Sequence, residues 1–205
     1  MVLSLPVAAR ATTVVPPSFD ELVGESELIF RGRVTAVKSD WSGEGKGRAP
    51  ATWVTFAVER TLRGSAGETI TLEFMGGEVG QKRLVLAGWP QFAVGDRGVF
   101  FVENREGRVC PLMRLRHGKY RVVSDGENRD VSVTGAERVL RDDGAPLRAV
   151  AEVGAALGTK VAAGPVRAAA GGSAGAGTGG LTLGEFEAQI AVRSAELPSK
   201  REAVR

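Results

Sequence analysis

Between Phe30 and Val123 apolar and polar positions alternate with a period of two over several stretches, the spacing of strands with one buried face. In Leu28–Ser39 the set Phe30, Gly32, Val34 and Ala36 alternates with Arg31, Arg33, Thr35 and Val37. Gly32 inside that pattern predicts a bulge or sharp bend, as barrel closure demands. Thr52–Leu62 sets Val54, Phe56 and Val58 against Trp53, Thr55, Ala57 and Glu59. After a Gly64–Gly67 turn, Glu68–Met75 sets Ile70, Leu72 and Phe74 against Thr69, Thr71 and Glu73. These two stretches form the clearest hairpin signal in the chain.

Gly88–Glu103 is different, and the other strands are placed around it. Trp89 and Phe92 precede a Gly95-Asp96-Arg97-Gly98 turn, and Val99–Val102 is then unbroken Val and Phe. A short apolar run bounded by turn residues predicts a strand buried on both faces. Weaker strands are expected at Lys82–Ala87, Val109–Leu115 and Lys119–Val123. Asp40–Pro50 and Gly76–Gly80 are expected as loops. Seven strands spaced by turn signals, with no long helix between them, predict an all-β barrel or sandwich. A small closed or nearly closed β-barrel is the expected form.

Helices are expected only at the periphery. Ser18-Phe19-Asp20-Glu21 is a capping box opening a short helix. Thr134–Glu137 offers another cap before a short helix at Ala136–Arg141, and Pro146–Leu157 carries a helical apolar spacing. Gly158–Gly180 is an Ala/Gly tract that reads as a flexible linker. Beyond it, Thr182 and Glu185 form a second capping box, with Leu181 and Phe186 as a hydrophobic staple. Leu183, Phe186 and Ile190 line an amphipathic helix ending before Pro198. Docking on its own barrel is favoured over docking on a partner. The expected organisation is a signal-peptide remnant at 1–11, a barrel domain at 12–123, a helical extension at 124–157, a linker at 158–180 and a terminal helix at 181–205.

Charge sharpens this picture. Residues 31–123 hold 16 basic and 9 acidic side chains, a net +7, within a chain of net charge +3. That suits an acidic partner or anionic surface, or simply a solvated Arg-rich exterior. Met1–Ala11 is a small apolar stretch ending in Ala9-Arg10-Ala11, an A-x-A cleavage pattern. A periplasmic or secreted location is therefore expected. No apolar run approaches the roughly 20 residues of a membrane helix. Cys110 is the single cysteine, so no internal disulfide forms, and its apolar neighbours suggest a buried thiol.

Catalytic chemistry finds little footing. His117 is the only histidine and lies in a basic turn, Arg116-His117-Gly118-Lys119. With one His and one Cys, the common zinc sites would need several carboxylates, and no acidic cluster offers them. Gly175–Gly180 matches G-x-G-x-x-G only within an Ala/Gly tract that no strand leads into. No catalytic residue, metal or cofactor is assigned. Trp41, Trp53, Trp89 and Phe92 have basic neighbours, an arrangement that can stack bases. The competing reading has Trp89 and Phe92 plugging a barrel end and Trp53 packed under a loop.

The order of FRGRVTAVKSDW, TWVTFAVERTLRG, GGEVG, WPQFAVGDRGVFFVE and LRHGKYRVV resembles a family of exported, largely uncharacterised bacterial proteins. The resemblance spans about Phe19–Val123. Its most specific pieces are the Phe92-x-x-Gly95-Asp96 turn and the Gly76-Gly77-x-x-Gly80 loop. It implies an OB-fold barrel similar to that of tissue inhibitors of metalloproteinases. Those inhibitors chelate the protease zinc through a mature N-terminal cysteine, and no position here matches that cysteine. The functional expectation is an exported, non-enzymatic binding module engaging another exported protein, such as a secreted protease. An OB-type single-stranded nucleic-acid binder is the alternative. Candidate partner-binding residues are Arg31, Arg33, Trp41, Trp53, Glu78, Trp89, Arg114 and Arg116. N-terminal sequencing of the mature protein should read from Thr12; a mature chain that still begins at Met1 would remove the case for export.

Overall fold

The computed structural model describes residues 16–106, 109–124, 137–142, 144, 147 and 181–197. The fold is mainly β. Helix α1 (Phe19–Glu25) is followed by strands β1 (Leu28–Ser42), β2 (Ala49–Arg63), β3 (Thr69–Met75), β4 (Gly77–Val79), β5 (Lys82–Leu84), β6 (Arg97–Val102), β7 (Lys119–Ser124) and β8 (Glu137–Arg141), then helix α2 (Leu183–Glu196). Six strands form one sheet in the order β3-β2-β1-β6-β7-β8, and β4 and β5 form a separate two-stranded sheet. Every pairing is antiparallel.

The period-two segments become the long strands because alternate side chains reach one interior. Phe30, Val34, Val54, Phe56, Leu72, Phe74, Phe100 and Val102 share a core cluster. Strands β3 and β6 are separated by β2 and β1, yet their side chains meet there, so the sheet must curl. Three register shifts between β1 and β2 supply bend, one of them between Arg31 and Gly32. A Cβ on Gly32 would stand 2.7 Å from the Ala57 carbonyl oxygen, so the close approach requires glycine. The ladder does not close: β3 and β8 remain its edges. Among the described residues one main-chain bond, from the Met75 N–H to the Val109 carbonyl at 2.8 Å, spans the gap beside β3.

Strand β6 is buried on both faces, as its composition predicts. Phe100 and Val102 enter the curled interior. Val99 and Phe101 enter a second core with Leu22 and Val23 of α1 and Leu183, Phe186 and Ile190 of α2. Helix α2 therefore docks on its own sheet. Both predicted capping boxes form, at Ser18 with Glu21 and at Thr182 with Glu185. Polar clamps add to the apolar contact. Arg31 and Arg60 donate to Glu187 at 2.6 and 2.9 Å, and Arg63 donates to the Leu197 carbonyl at 2.9 Å. Arg193 pairs with Asp20 of α1.

Five sequence expectations need correction. Asp40–Pro50 is loop only over 43–48, because Asp40–Ser42 and Ala49–Pro50 extend the β1–β2 ladder. Val109–Leu115 is not a strand. Only Leu112 bridges to Val102, because Pro111 has no N–H to donate and Arg114 and Leu115 take left-handed backbone at φ 43° and 65°. Gly76–Gly80 is not simply a loop, since Gly77–Val79 pairs with Lys82–Leu84. The Lys82–Ala87 strand stops at Leu84. The segment expected as a helix at Ala136–Arg141 is strand β8 at Glu137–Arg141, paired with β7. There the open edge of β7 outweighs local helix preference, and Val139 and Leu140 are buried. The expected signal remnant at 1–11 and linker at 158–180 lie outside the described residues. So does the helix at 146–157, except for Leu147, which is buried in the second core.

Truncation of Phe186 to Ala should cost about 3–5 kcal/mol by transfer loss and cavity formation, and Thr182→Ala should cost about 1 kcal/mol through its cap. Urea unfolding of the full chain measures both. A Phe186→Ala cost below that of the cap variant would show that α2 is an accessory.

Candidate functional site

The β4–β5 hairpin stands over the inner face of β1 and β2, and a cleft of about 280 Å³ lies beneath it. Val37, Val54, Phe74 and Phe92 form its apolar floor, which is continuous with the curled interior. Leu84, Val85, Leu86, Trp89 and Pro90 supply further walls. Ser39, Thr52, Gln91, Glu78 and Arg83 add polar groups. Glu78 and Arg83 face each other at 3.8 Å and are both largely exposed, so their mutual attraction is weak.

Local sequence places the hairpin. Gly76 and Gly77 have φ of 100° and 143°, a backbone that side chains rarely tolerate. A Cβ on Gly77 would lie 2.6 Å from Thr52 Oγ1 and 2.7 Å from Ser39 Oγ. Those hydroxyls are 3.0 Å apart, and Thr52 donates to the Gly76 carbonyl at 2.7 Å. The Gly76 N–H donates to the Pro50 carbonyl at 2.8 Å. The two glycines thus seat the hairpin directly on the end of the β1–β2 ladder.

The opposite wall is fixed by a buried cation. Lys119 Nζ is 3.3 Å from Asp142, 3.5 Å from Asp96 and 4.7 Å from the centre of the Phe92 ring, and it donates to the Gln91 carbonyl. Phe92 in turn packs against Phe56, Phe74 and Phe100. Phe92 is therefore a plug at the end of the interior. Trp89 is half-buried beside it, and its indole N–H is buried with no acceptor in the described structure.

The eight sequence candidates do not converge. Glu78 and Trp89 share the cleft. Trp53 is half-buried between Lys38 and Glu73 in the ladders. Trp41 lies farther along the β1–β2 arm, with the Arg48 guanidinium 5.1 Å above its ring. Arg114 and Arg116 are exposed at the turn before β7. Arg33 is exposed and donates to the Gly95 carbonyl at 3.2 Å. Arg31 is committed internally, to Glu59 at 3.0 Å and Glu187 at 2.6 Å. Sequence reading misses the apolar cleft floor and Lys119. Floor residues carry the same alternation as any core residue, and a lysine in a basic turn reads as exposed.

Burial pushes the Cys110 thiol up to about 11, which leaves little thiolate at neutral pH. Burial, reinforced by Arg116, holds the His117 imidazole below its ordinary value. Among the described residues no three His, Cys, Asp or Glu side chains converge on a possible metal position.

Glu59 joins Arg31 to Arg97, and Arg97 also pairs with Glu137. The hydrogen bond from Arg97 holds the Glu59 carboxyl below its ordinary value of 4.5, against an opposing desolvation effect. A depressed folded-state value stabilises the fold above the unfolded value and loses that contribution as pH falls through the folded one. The stability difference between the natural chain and Glu59→Gln should thus be full at neutral pH and shrink below about pH 4.5. Denaturant midpoints across pH 3–7 measure it, and a difference that grows on acidification would refute the assignment.

No protein-family profile, curated protein or solved structure matches this chain.

Proposed function

We propose that this protein is an exported, non-enzymatic binding module built on an OB-like β-barrel, with the cleft beneath the β4–β5 hairpin as its partner-facing site. The barrel reading is supported by the strand order β3-β2-β1-β6-β7, of which β1, β2, β3 and β6 share one Phe-rich interior and β7 contributes Lys119 against the Phe92 ring at its end. It fits the partly open five-stranded barrel of that class. The observation that carries the binding role is the cleft itself. Its floor is apolar core, its rim is charged, and its volume of about 280 Å³ falls just short of the small-ligand range of about 300–1,000 Å³, a size that suits a single side chain. Val85 on its wall is 68% exposed, an apolar surface that a partner would cover.

The partner class is another exported protein that inserts an apolar side chain into the cleft. A secreted protease is one candidate, engaged without the chelating cysteine of the metalloproteinase inhibitors. Single-stranded nucleic acid draws less support. Arg31, Arg60 and Arg97 are each paired with carboxylates, and Trp53 is half-buried.

Affinity capture from the secreted fraction tests the reading, using the natural chain and Val85→Arg, a change at an exposed position. A partner recovered by the natural chain should fall at least tenfold with Val85→Arg while the unfolding midpoint stays put. Equal recovery by both would remove the cleft as the site. A steeply salt-dependent affinity for oligonucleotides, read by tryptophan fluorescence, would instead favour nucleic acid.

A further inference from the structure

Strand β3 ends the six-stranded sheet on one side and β8 ends it on the other. The chain itself covers the β8 edge. The Val139 N–H donates to the Leu181 carbonyl and the Leu147 N–H to the Val139 carbonyl, each at 3.1 Å, and Arg138 bridges to Thr182. The β3 edge is different. Its register against β2 runs from Thr69 to Met75 without a shift, so its main-chain groups alternate regularly between β2 and the free side. Three bonds fix the direction of each. The Glu68 carbonyl accepts from the Val58 N–H of β2, and the Gly76 N–H donates to the Pro50 carbonyl of β2, both at 2.8 Å. The Met75 N–H donates away from β2, to Val109. Even-numbered positions therefore face β2, and the N–H and C=O groups of Thr69, Thr71 and Glu73 face the free side. Among the described residues none of these outward groups has a hydrogen-bond partner.

Sheet edges are ordinarily blunted by proline, lysine, a bulge or a covering segment. Thr69–Met75 holds no proline, no lysine and no bulge, and its β-branched and aromatic residues favour extended backbone. Thr69 and Thr71 are exposed, and Ile70 is half-buried against the interior cluster. Glu73 is the one charge on the strand. Its carboxylate accepts from the Ser42 hydroxyl and pairs with no cation of the described residues. The same holds for Glu68, which is exposed just before the strand. Arg105, which donates to the Ser65 carbonyl beside this end of β3, is paired with Glu27. The edge is thus locally acidic although residues 31–123 are cationic as a whole.

We infer that the Thr69–Glu73 edge of β3 takes up an extended, basic peptide segment of a partner protein as an added antiparallel strand. Main-chain bonds to Thr69, Thr71 and Glu73 supply the affinity and the alternating side chains supply the selectivity. Residues directly opposite across a ladder share a face. The partner's side chains opposite Ile70 and Leu72 are therefore apolar, and the one opposite Glu73 is Lys or Arg. Val109 sets the end of the window, because it already occupies the Met75 N–H. A second copy of this chain fits less well. Antiparallel self-pairing centred on Thr71 sets Glu73 opposite Thr69 of the other copy, with Glu68 of that copy next to it, so that acids meet at both ends and repel. The surface goes beyond the cleft beneath the hairpin and does not require that cleft to be occupied.

The test is selection of displayed random peptides of about six residues, an ordinary strand length, on the full chain. Thr71→Pro deletes an outward N–H and no bond of the β2–β3 ladder, the position at which an edge strand accepts proline. Enriched peptides should alternate apolar and polar residues and carry Lys or Arg. They should slow amide hydrogen exchange at Thr69, Thr71 and Glu73, and bind Thr71→Pro about tenfold more weakly or worse. Glu73→Lys should select acidic peptides in place of basic ones. If Thr71→Pro unfolds, N-methylation of the enriched peptide at alternate residues makes the same comparison from the peptide's side. Failure to enrich such peptides on the natural chain would overturn the site, and so would N-methylated forms that bind equally well. A dimer in sedimentation that Thr71→Pro dissolves would give the edge to a second copy and overturn the peptide assignment.

Discussion

Strand β6 has no face toward water, and the remaining architecture follows from that. Phe100 and Val102 need one apolar environment and Val99 and Phe101 need another. Burying each such side chain is worth about 1.5–3 kcal/mol, so exposing either face would forfeit a large share of a marginal stability. The inner face is satisfied by curling β1, β2 and β3 around a phenylalanine cluster. The outer face needs α1, which precedes β1, and α2, which lies some eighty residues beyond β6 in sequence. Helix α2 is therefore part of the core although the tract before it has the composition of a linker.

Docking α2 changes what the arginines of β1 and β2 can do. Glu187 sits on the buried side of the helix and is only 5% exposed. A carboxylate in that position is tolerable only when paired and hydrogen-bonded. Arg31 and Arg60 supply both pairs. Through Arg31 the helix joins a chain of alternating charges, Glu187, Arg31, Glu59, Arg97 and Glu137, that runs over α2, β1, β2, β6 and β8. Much of the +7 on residues 31–123 is thus spent within the fold. Exposed cations with no carboxylate partner among the described residues include Arg33, Arg114, Arg116 and Arg121.

What the sequence makes legible follows the range of the interactions involved. The alternation through Phe30, Val54, Phe56, Leu72 and Phe74 locates β1, β2 and β3 because burial of one face is written into every second residue. The capping boxes at Ser18 and Thr182 are local hydrogen bonds and can be read from four residues each. Glu137–Arg141 cannot be read this way, because its strand state depends on the edge of β7 beside it. Val109–Leu115 fails for the opposite reason: its alternation is present, but Pro111 and the left-handed pair Arg114 and Leu115 stop the ladder. At the site, Trp89 and Glu78 are visible as an aromatic and a charge near glycines. Lys119 is not, since its burial comes from Asp96, Asp142 and Phe92 at distant positions.

The open ladder explains why an apolar cleft persists beside the core. Strands β3 and β7 do not pair, so the interior must be stopped at its end by side chains. Phe92 does this, and Lys119 holds it there. A buried ammonium demands compensation from every side, and it receives two carboxylates, a carbonyl and an aromatic face. Those partners come from the Gln91–Asp96 segment and from Asp142 just after β8. The plug is consequently fastened to the far side of the sheet and cannot slide toward the β4–β5 hairpin to fill the space beneath it. The hairpin, in turn, is seated by Gly76 and Gly77 on the hydroxyls of Ser39 and Thr52 and on the Pro50 carbonyl. With both walls anchored by polar contacts at the cleft's edges, the apolar floor between them stays open.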